Sequence, residues 1–195
     1  DYSRSVVEAL ASVRNSVTIH HGIGDVFRTH GSQLEKPELT KSFEYLLYVS
    51  RFDVYKHHLE VVEAYRNLPA PLRARYKLLF AGEVESPLAV LVKEKIESHA
   101  LHDQILLLGP VKYEALPALY NNAKAILFAS SCENCPNILL ESMGAGRPVL
   151  SSNVAPMPEF GGSSLIYFSP FDADDIRSAM QAVLLDENLA KRSAD

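Results

Sequence analysis

The chain has 195 residues, of which 47% are hydrophobic and 22% are charged, and its formal net charge is −5. These values are typical of a globular domain with a sizeable core and exclude a disordered chain. A net negative charge argues against a general binder of the nucleic-acid backbone. The longest apolar runs, such as AILFA, are far shorter than the roughly 18 residues of a membrane-spanning helix.

The cysteine content predicts the cellular compartment, and the patterns at the two ends of the sequence lead to a second prediction. Two cysteines are too few for a disulfide framework, and no basic leader with an apolar core is present, so we expect a cytoplasmic setting. The chain begins without Met inside a helical pattern, with Val6, Val7, Leu10 and Val13 at helical spacing, and it stops in helix-like sequence. Both ends predict a piece of a longer polypeptide.

Strands and helices are predicted to alternate along the chain. After an early strand at 16–19, the predicted strands are 45–50, 76–82, 105–109, 124–130, 148–152 and 165–170. The predicted helices are 56–68, 87–99, 113–123, 137–146 and 172–186. The strands are apolar runs without period-2 alternation, which is typical of parallel strands buried on both faces. The predicted fold class is therefore α/β, a doubly wound, Rossmann-like parallel sheet.

Two cations follow the strand at 45–50. Arg51 comes directly after this strand, and Lys56 stands at the start of the next predicted helix. Ligands of such sheets bind beyond the carboxyl ends of the strands, where helix N-termini attract anions. A cation at a helix N-terminus is unfavourable unless an anion joins it, so the pair predicts a diphosphate clamp. Two solvated surface cations are the alternative.

Two carboxylates mark the junction after the strand at 124–130. Glu133 lies in the predicted turn, and Glu141 lies in a helix that we expect to begin near Pro136, one turn from Asn137 on the same face. A carboxylate among apolar neighbours needs a partner. Sugar hydroxyls would supply one, with one carboxylate for a hexose and the other for a ribose. A helix-capping Glu and an exposed Glu are the alternative.

Cys132 and Cys135 form a C-x-x-C in the same turn. Such a pair between a strand and a helix can be a redox dithiol or half of a zinc site. A neighbouring carboxylate disfavours a reactive thiolate, and neither a second C-x-x-C nor matched histidine spacing completes a zinc site. The thiol interpretation remains a second hypothesis.

Two weaker motifs occur elsewhere. Asp172 and Asp174 form a D-x-D, a pattern that can hold a divalent metal, but acidic residues at a helix N-terminus explain it without one. Gly22 and Gly24 follow the early strand in a turn where the backbone could approach a ligand closely.

Together these segments resemble the C-terminal, donor-binding half of a two-domain GT-B glycosyltransferase, specifically the retaining family 4, or group 1. VSRFDVYKHHLEVVEAY resembles the family's strand, Arg-x4-Lys and helix, and ENCPNILLESMGAGRPVLSS resembles its Glu-x7-Glu signature. Between them KLLFAG and ILLLGPVKYEALPALYNNAKAILFAS follow the family's order, and SVTIHHGIGDVF resembles the segment that enters this half. The resemblance covers nearly all of residues 16–186.

The resemblance implies a role for each matching residue, with Arg51, Lys56 and Glu133 as the catalytic residues. Arg51 and Lys56 would bind the diphosphate of a UDP- or GDP-sugar, Glu133 would hold the transferred sugar, and Glu141 would take the ribose hydroxyls. The rest of the implied donor site is Gly22, Gly82, Val111, Lys112, Asn134, Cys135, Pro136, Asn137 and Ile138, with the turn at 111–112 meeting the base. Pro136 replaces a glycine found in many relatives and lacks an N–H donor, and Val84 stands where a second glycine is frequent.

The implied reaction is hexose transfer, with retention and without a metal or other cofactor, to a glycan or lipid-linked acceptor. We expect residues 1–24 to be an interdomain connection with a first strand and residues 25–195 to be the donor domain. The acceptor would bind an absent N-terminal half, so the chain alone would bind donor weakly and transfer nothing. A lipid acceptor would bring the full enzyme to the cytoplasmic membrane surface; nucleic acid is not an expected partner.

Other functions remain open at this stage. Within the same architecture, they are a glycan synthase that uses a glucose nucleotide and a sugar-nucleotide epimerase. Outside it, they are a thiol–disulfide protein that uses Cys132 and Cys135, and a donor-like module that has lost catalysis and only binds.

Overall fold

Continuous apolar runs form the strands of one parallel sheet. A computed structural model describes residues 2–12, 15–19, 21–28 and 34–186. Within them the strands are β1 (Glu44–Val49), β2 (Tyr76–Ala81), β3 (Ile105–Leu107), β4 (Ala125–Phe128), β5 (Val149–Ser152) and β6 (Ile166–Phe168). All pair in parallel, in the order β3-β2-β1-β4-β5-β6. The predicted fold class is confirmed.

Helices cover both faces of the sheet. Those described are α1 (Tyr2–Leu10), α2 (His58–Arg66), α3 (Ala70–Arg75), α4 (Pro87–Ser98), α5 (Leu116–Asn122), α6 (Asn137–Gly144), α7 (Met157–Gly161) and α8 (Ala173–Leu185). Buried residues of α2, α4 and α8 share one core cluster with Leu46 of β1. Those of α5, α6 and α7 share the other cluster with Leu47, the next residue along the strand. No helix among the described residues is long and apolar enough to cross a membrane.

The order of the strands places a crevice between β1 and β4. The chain runs outward from β1 to β3 and then returns to β4 on the other side of β1, where Leu46 and Leu47 pair with Ala125 and Ile126. Ligands of open parallel sheets bind at such a reversal, outside the carboxyl ends of the strands. The loops after β1 and β4, which carry the predicted cations and carboxylates, therefore meet there.

The start of the chain differs from the prediction. Residues 16–19 form no strand, because no strand in the described part of the chain pairs with them, and Val17 and Ile19 are 80% and 83% exposed. α1 is helical as predicted, but none of its residues is buried. Val13 lies outside the described residues.

One predicted helix start also moves, and another agrees with the prediction. The helix expected from residue 56 begins at His58, because the Val54–Lys56 segment is a 3₁₀ turn that ends in a left-handed residue, His57. Lys56 therefore ends this turn instead of opening α2. The helix expected near Pro136 begins at Asn137, and Pro136 is its N-cap residue.

Candidate functional site

A short 3₁₀ turn after β1 holds Lys56 inside the protein. Asp53 starts the turn, and its side chain accepts a hydrogen bond from the Val54 N–H at 2.8 Å. The Tyr48 hydroxyl donates to the Lys56 carbonyl oxygen at 2.8 Å. These contacts fix the backbone, so that the Lys56 side chain is only 7% exposed.

Lys56 forms an ion pair with Glu133 across the crevice. Its ammonium group donates to Glu133 Oε1, and the Glu133 side chain is 16% exposed. The ammonium nitrogen also lies 5.1 Å and 5.2 Å from the ring centroids of Tyr55 and Phe128. The loops after β1 and β4 thus bring together two of the three predicted catalytic residues. Each charge is nearly enclosed and is compensated by the other.

Arg51, the third predicted catalytic residue, has a side chain that is largely exposed to solvent. Its side chain is 67% exposed and lies 3.4 Å from a carboxylate oxygen of Asp53. Its Nε donates to the Tyr55 hydroxyl at 3.1 Å. A guanidinium at the rim of a crevice can reorient toward an anion without losing a buried contact.

The N-terminus of α6 presents free backbone donors at the same crevice. The Asn137 N–H donates to the Cys135 carbonyl at 3.0 Å, and Pro136 has no N–H. No acceptor for the Ile138 or Leu139 N–H is found in the described part of the chain. Such amides and the helix dipole attract anions.

Glu141 lies in α6, one turn after Asn137, and is half-buried. Burial raises the pKa of its carboxyl group. No side chain of the described residues donates a hydrogen bond to it. The predicted need for a partner is therefore unmet within the protein, and a hydroxyl-bearing ligand would satisfy it.

A cleft of about 240 Å³ opens beyond the ends of β1 and β2. Predicted site residues Arg51, Gly82, Val111 and Ile138 line it, together with Val49, Ser50, Ala81, Glu83, Pro110 and Leu116. A side chain at Gly82 would place its Cβ 1.9 Å from the Ser50 carbonyl oxygen, so only glycine allows this approach of the two chain segments. The lining is mostly apolar, which suits a planar base or ring.

The remaining predicted residues, Lys112, Glu133 and Glu141 among them, are not part of the lining of this cleft. Asn134 accepts from the Ser3 hydroxyl at 2.6 Å, and Asn137 Oδ1 lies 3.0 Å from His21 Nδ1. This contact brings Gly22, the neighbour of His21, close to the start of α6.

Comparison with known proteins identifies the family. The model described as "Glycosyl transferases group 1" matches residues 31–195, most of the chain. The chain belongs to the group 1 glycosyltransferases.

Relatives of this glycosyltransferase include two mannosyltransferases of Escherichia coli. The serotype-specific mannosyltransferase WbdA is 32% identical over 145 residues, 74% of this chain and 18% of the relative. The O-antigen chain mannosyltransferase B is 32% identical over 144 residues, 74% of this chain and 38% of the relative. The chain therefore matches well under half of either relative.

Solved structures share the fold of this glycosyltransferase domain. Sucrose-phosphate synthase from Thermosynechococcus elongatus superposes with a TM-score of 0.70 and 24% identity, over 78% of this chain and 39% of that one. HepE from Anabaena, in complex with UDP-glucose, gives a TM-score of 0.70 and 15% identity, over 78% of this chain and 42% of that one. The chain therefore shares the Rossmann-like fold of part of each of these structures.

The cysteine pair and the D-x-D motif are explained by their positions in the fold. Cys132 is an exposed free thiol and Cys135 a half-buried one. Asp172 caps α8 by accepting from the Asp174 and Asp175 N–H groups, as expected for acidic residues at a helix start. In the described residues no group of three or more His, Cys, Asp or Glu side chains could hold a metal ion.

Three residues of the crevice have no counterpart in the sequence-based prediction. Tyr55 contacts both cations, and His57 contacts Ser131 across the two loops. The His57–Ser131 contact joins side chains that are 74 residues apart, so no local pattern in the sequence indicates it.

Proposed function

We propose that this chain is the donor-binding domain of a retaining glycosyltransferase of family 4, which transfers a hexose from a UDP- or GDP-sugar. In this proposal Arg51 and Lys56 bind the diphosphate, Glu133 holds the transferred sugar, and Glu141 binds the ribose. The observation that carries it is the Lys56–Glu133 pair at the strand reversal, beside the free amides of α6.

The charges of the crevice suit a leaving nucleoside diphosphate. Negative charge builds up on the diphosphate as the glycosidic bond breaks, and Lys56, Arg51 and the α6 N-terminus are three positive elements around one region. Donors that are already oriented stabilise such charge without reorganisation, typically by several kcal/mol. These elements can do the work of a metal ion, so we propose a reaction without metal or other cofactor.

The two carboxylates then have separate tasks. Glu133 already touches Lys56, so a sugar held by Glu133 would lie next to the diphosphate. Glu141 is half-buried without a donor from the described side chains, which suits the ribose hydroxyls. The apolar cleft beside Gly82 and Val111 would take the base.

We propose mannose as the first sugar to test. Two relatives that are 32% identical are named mannosyltransferases, although their matched segments are only part of each protein. The acceptor, a glycan or lipid-linked sugar, would bind a separate N-terminal half, at the cytoplasmic membrane surface if it is a lipid. The structural neighbour in complex with UDP-glucose supports a nucleotide-sugar site in this fold.

Isothermal titration tests the donor site directly. We expect GDP or UDP to bind the wild-type chain, and Arg51→Ala and Glu141→Ala each to weaken binding by about tenfold or more, the effect of losing one charge-assisted hydrogen bond. Lys93→Ala, which removes an exposed cation on α4, serves as a matched control and should bind normally. If neither nucleotide binds, the proposal is wrong.

Two alternatives are tested alongside. Cys132→Ser should leave nucleotide binding unchanged. If instead nucleotides do not bind and Cys132→Ser abolishes a measurable dithiol potential, a thiol–disulfide function is correct. In the full-length protein, donor binding without sugar transfer would indicate a domain that has lost catalysis.

A further inference from the structure

His57 has a backbone conformation that residues other than glycine rarely adopt. Its φ and ψ are 51° and 37°, in the left-handed region that favours glycine. Its N–H donates to the Val54 carbonyl at 3.3 Å, and its own carbonyl accepts from Val61 at 3.0 Å. The residue thus ends the turn that carries Lys56 and begins α2. Glycine would adopt this left-handed conformation without strain, so the backbone alone does not explain a histidine here, and the contacts of the imidazole are of interest.

The imidazole joins the two loops of the crevice. Its Nε2 lies 2.7 Å from the Ser131 hydroxyl oxygen, and the His57 side chain is only 10% exposed. The other ring nitrogen, Nδ1, lies 3.8 Å from a carboxylate oxygen of Glu60, and the edge of the ring contacts Phe171. The ring is therefore held on three sides.

Ser131 is two residues before Glu133. Its N–H donates to the Tyr55 carbonyl at 2.8 Å, so backbone and side chain both fasten the loop after β4 to the loop after β1. The Lys56–Glu133 ion pair is the next contact between the same loops. A change at the His57–Ser131 contact would therefore move Glu133 relative to Lys56.

We propose that His57 is a positioning residue, which sets Glu133 through Ser131 for contact with the transferred sugar. This inference rests on the proposed function of Glu133. It predicts that loss of the His57–Ser131 contact weakens binding of the sugar and not of the nucleoside diphosphate. In the proposed site, Arg51, Lys56 and the α6 amides bind the diphosphate, and Glu133 binds the sugar.

Titration calorimetry with two kinds of ligand tests this proposal. For His57→Gly and Ser131→Ala we expect affinity for GDP or UDP within about twofold of the wild type, and affinity for the matching nucleotide sugar about tenfold lower, the scale of one lost hydrogen bond. His57→Gly should be at least as stable in urea as the wild type, because glycine suits the left-handed conformation.

Three further variants separate positioning from packing. His57→Gln, whose amide can reach Ser131, should restore sugar-nucleotide affinity. The double variant His57→Gly/Ser131→Ala should be no weaker than either single one, since both remove the same contact. Phe171→Ala removes only the ring-edge contact and should bind normally.

The outcomes are distinct. Unchanged affinity for the nucleotide sugar in His57→Gly and Ser131→Ala would overturn the inference, and so would an equal loss for both ligands. Failure of the wild type to bind any nucleoside diphosphate would overturn the proposed function, and this inference with it.

Discussion

Gly82 lines the cleft beyond β1 and β2 at a position where a larger residue has no room. An added Cβ would lie 1.9 Å from the Ser50 carbonyl oxygen, a backbone atom that cannot move aside easily. We predict that Gly82→Ala lowers the free energy of unfolding by about 2–4 kcal/mol and weakens nucleotide binding. Urea denaturation measures the first effect. Gly22→Ala is the control, because nothing lies within 4 Å of its added Cβ, and equal stability of the two variants would contradict the prediction.

His58 makes stability depend on pH. Its ring is fully buried and stacks between Tyr48 and Phe52, with ring centroids 4.9 Å and 4.1 Å away. Among the described residues, neither of its ring nitrogens has a hydrogen-bond partner. Burial, assisted by the charge of Lys56, lowers the pKa of His58 to about 3 from its usual value of 6.5. The unfolded chain therefore binds a proton that the folded chain refuses, and stability falls as the pH drops below 6.5.

Urea denaturation at pH 7 and pH 5 tests this consequence. Between these values the wild type should lose about 2 kcal/mol of stability through His58. His58→Phe keeps an aromatic ring between Tyr48 and Phe52 and should lose much less. The depressed pKa of Glu63, about 2, acts only below its usual value of 4.5 and does not confuse this window. Equal losses in both proteins would show that another group is responsible.

Sequence patterns reveal residues whose chemistry is local and miss those whose role is set by folding. Arg51, Lys56 and Glu133 could be predicted, because each lies in the segment between a recognisable strand and the helix that follows it. The link from His57 to Ser131 could not, since it joins residues 74 positions apart and depends on one left-handed backbone conformation. The functional roles of the predicted residues stay predictions until binding is measured.

The N-cap of α8 explains a motif that could otherwise indicate a metal. Asp172 accepts from the Asp174 N–H at 2.9 Å and from the Asp175 N–H at 3.4 Å. We predict that Asp172→Ala lowers stability by about 1 kcal/mol and that Asp172→Asn, which can still cap, lowers it less. Thermal denaturation with and without millimolar Mn²⁺ measures both. A metal-dependent rise in the melting temperature of the wild type that Asp172→Asn abolishes would contradict the capping role.

Elements were predictable where several independent signals agreed. Each of the predicted strands from β1 to β6 lies within two residues of its observed limits. α3 and α7 were not predicted, because they have only six and five residues and contain prolines near their starts. The expected strand at 16–19 has no neighbouring strand within the ranges that the structure describes, and a short apolar segment does not form a strand without pairing.

At the scale of the whole molecule, two adjacent residues of β1 test whether helices cover both faces of the sheet. Leu46 and Leu47 are both fully buried, but they belong to core clusters on opposite faces of the sheet. We predict that Leu46→Ala and Leu47→Ala each lower stability by about 2–5 kcal/mol. Leu39→Ala, at a position that is 59% exposed, should change it little. A small effect at either buried leucine would contradict helix layers on both faces.

The outermost strands, β3 and β6, are only three residues long each. A long unpaired edge strand can pair with a strand of another molecule, which is how aggregates with extended sheets form. Short edge strands are one of the ways in which natural proteins prevent this. The long strands β1 and β2 lie inside, with both of their edges occupied. Within the described residues, this arrangement places the longest apolar strands inside the sheet and short strands, which template aggregation poorly, at its two edges.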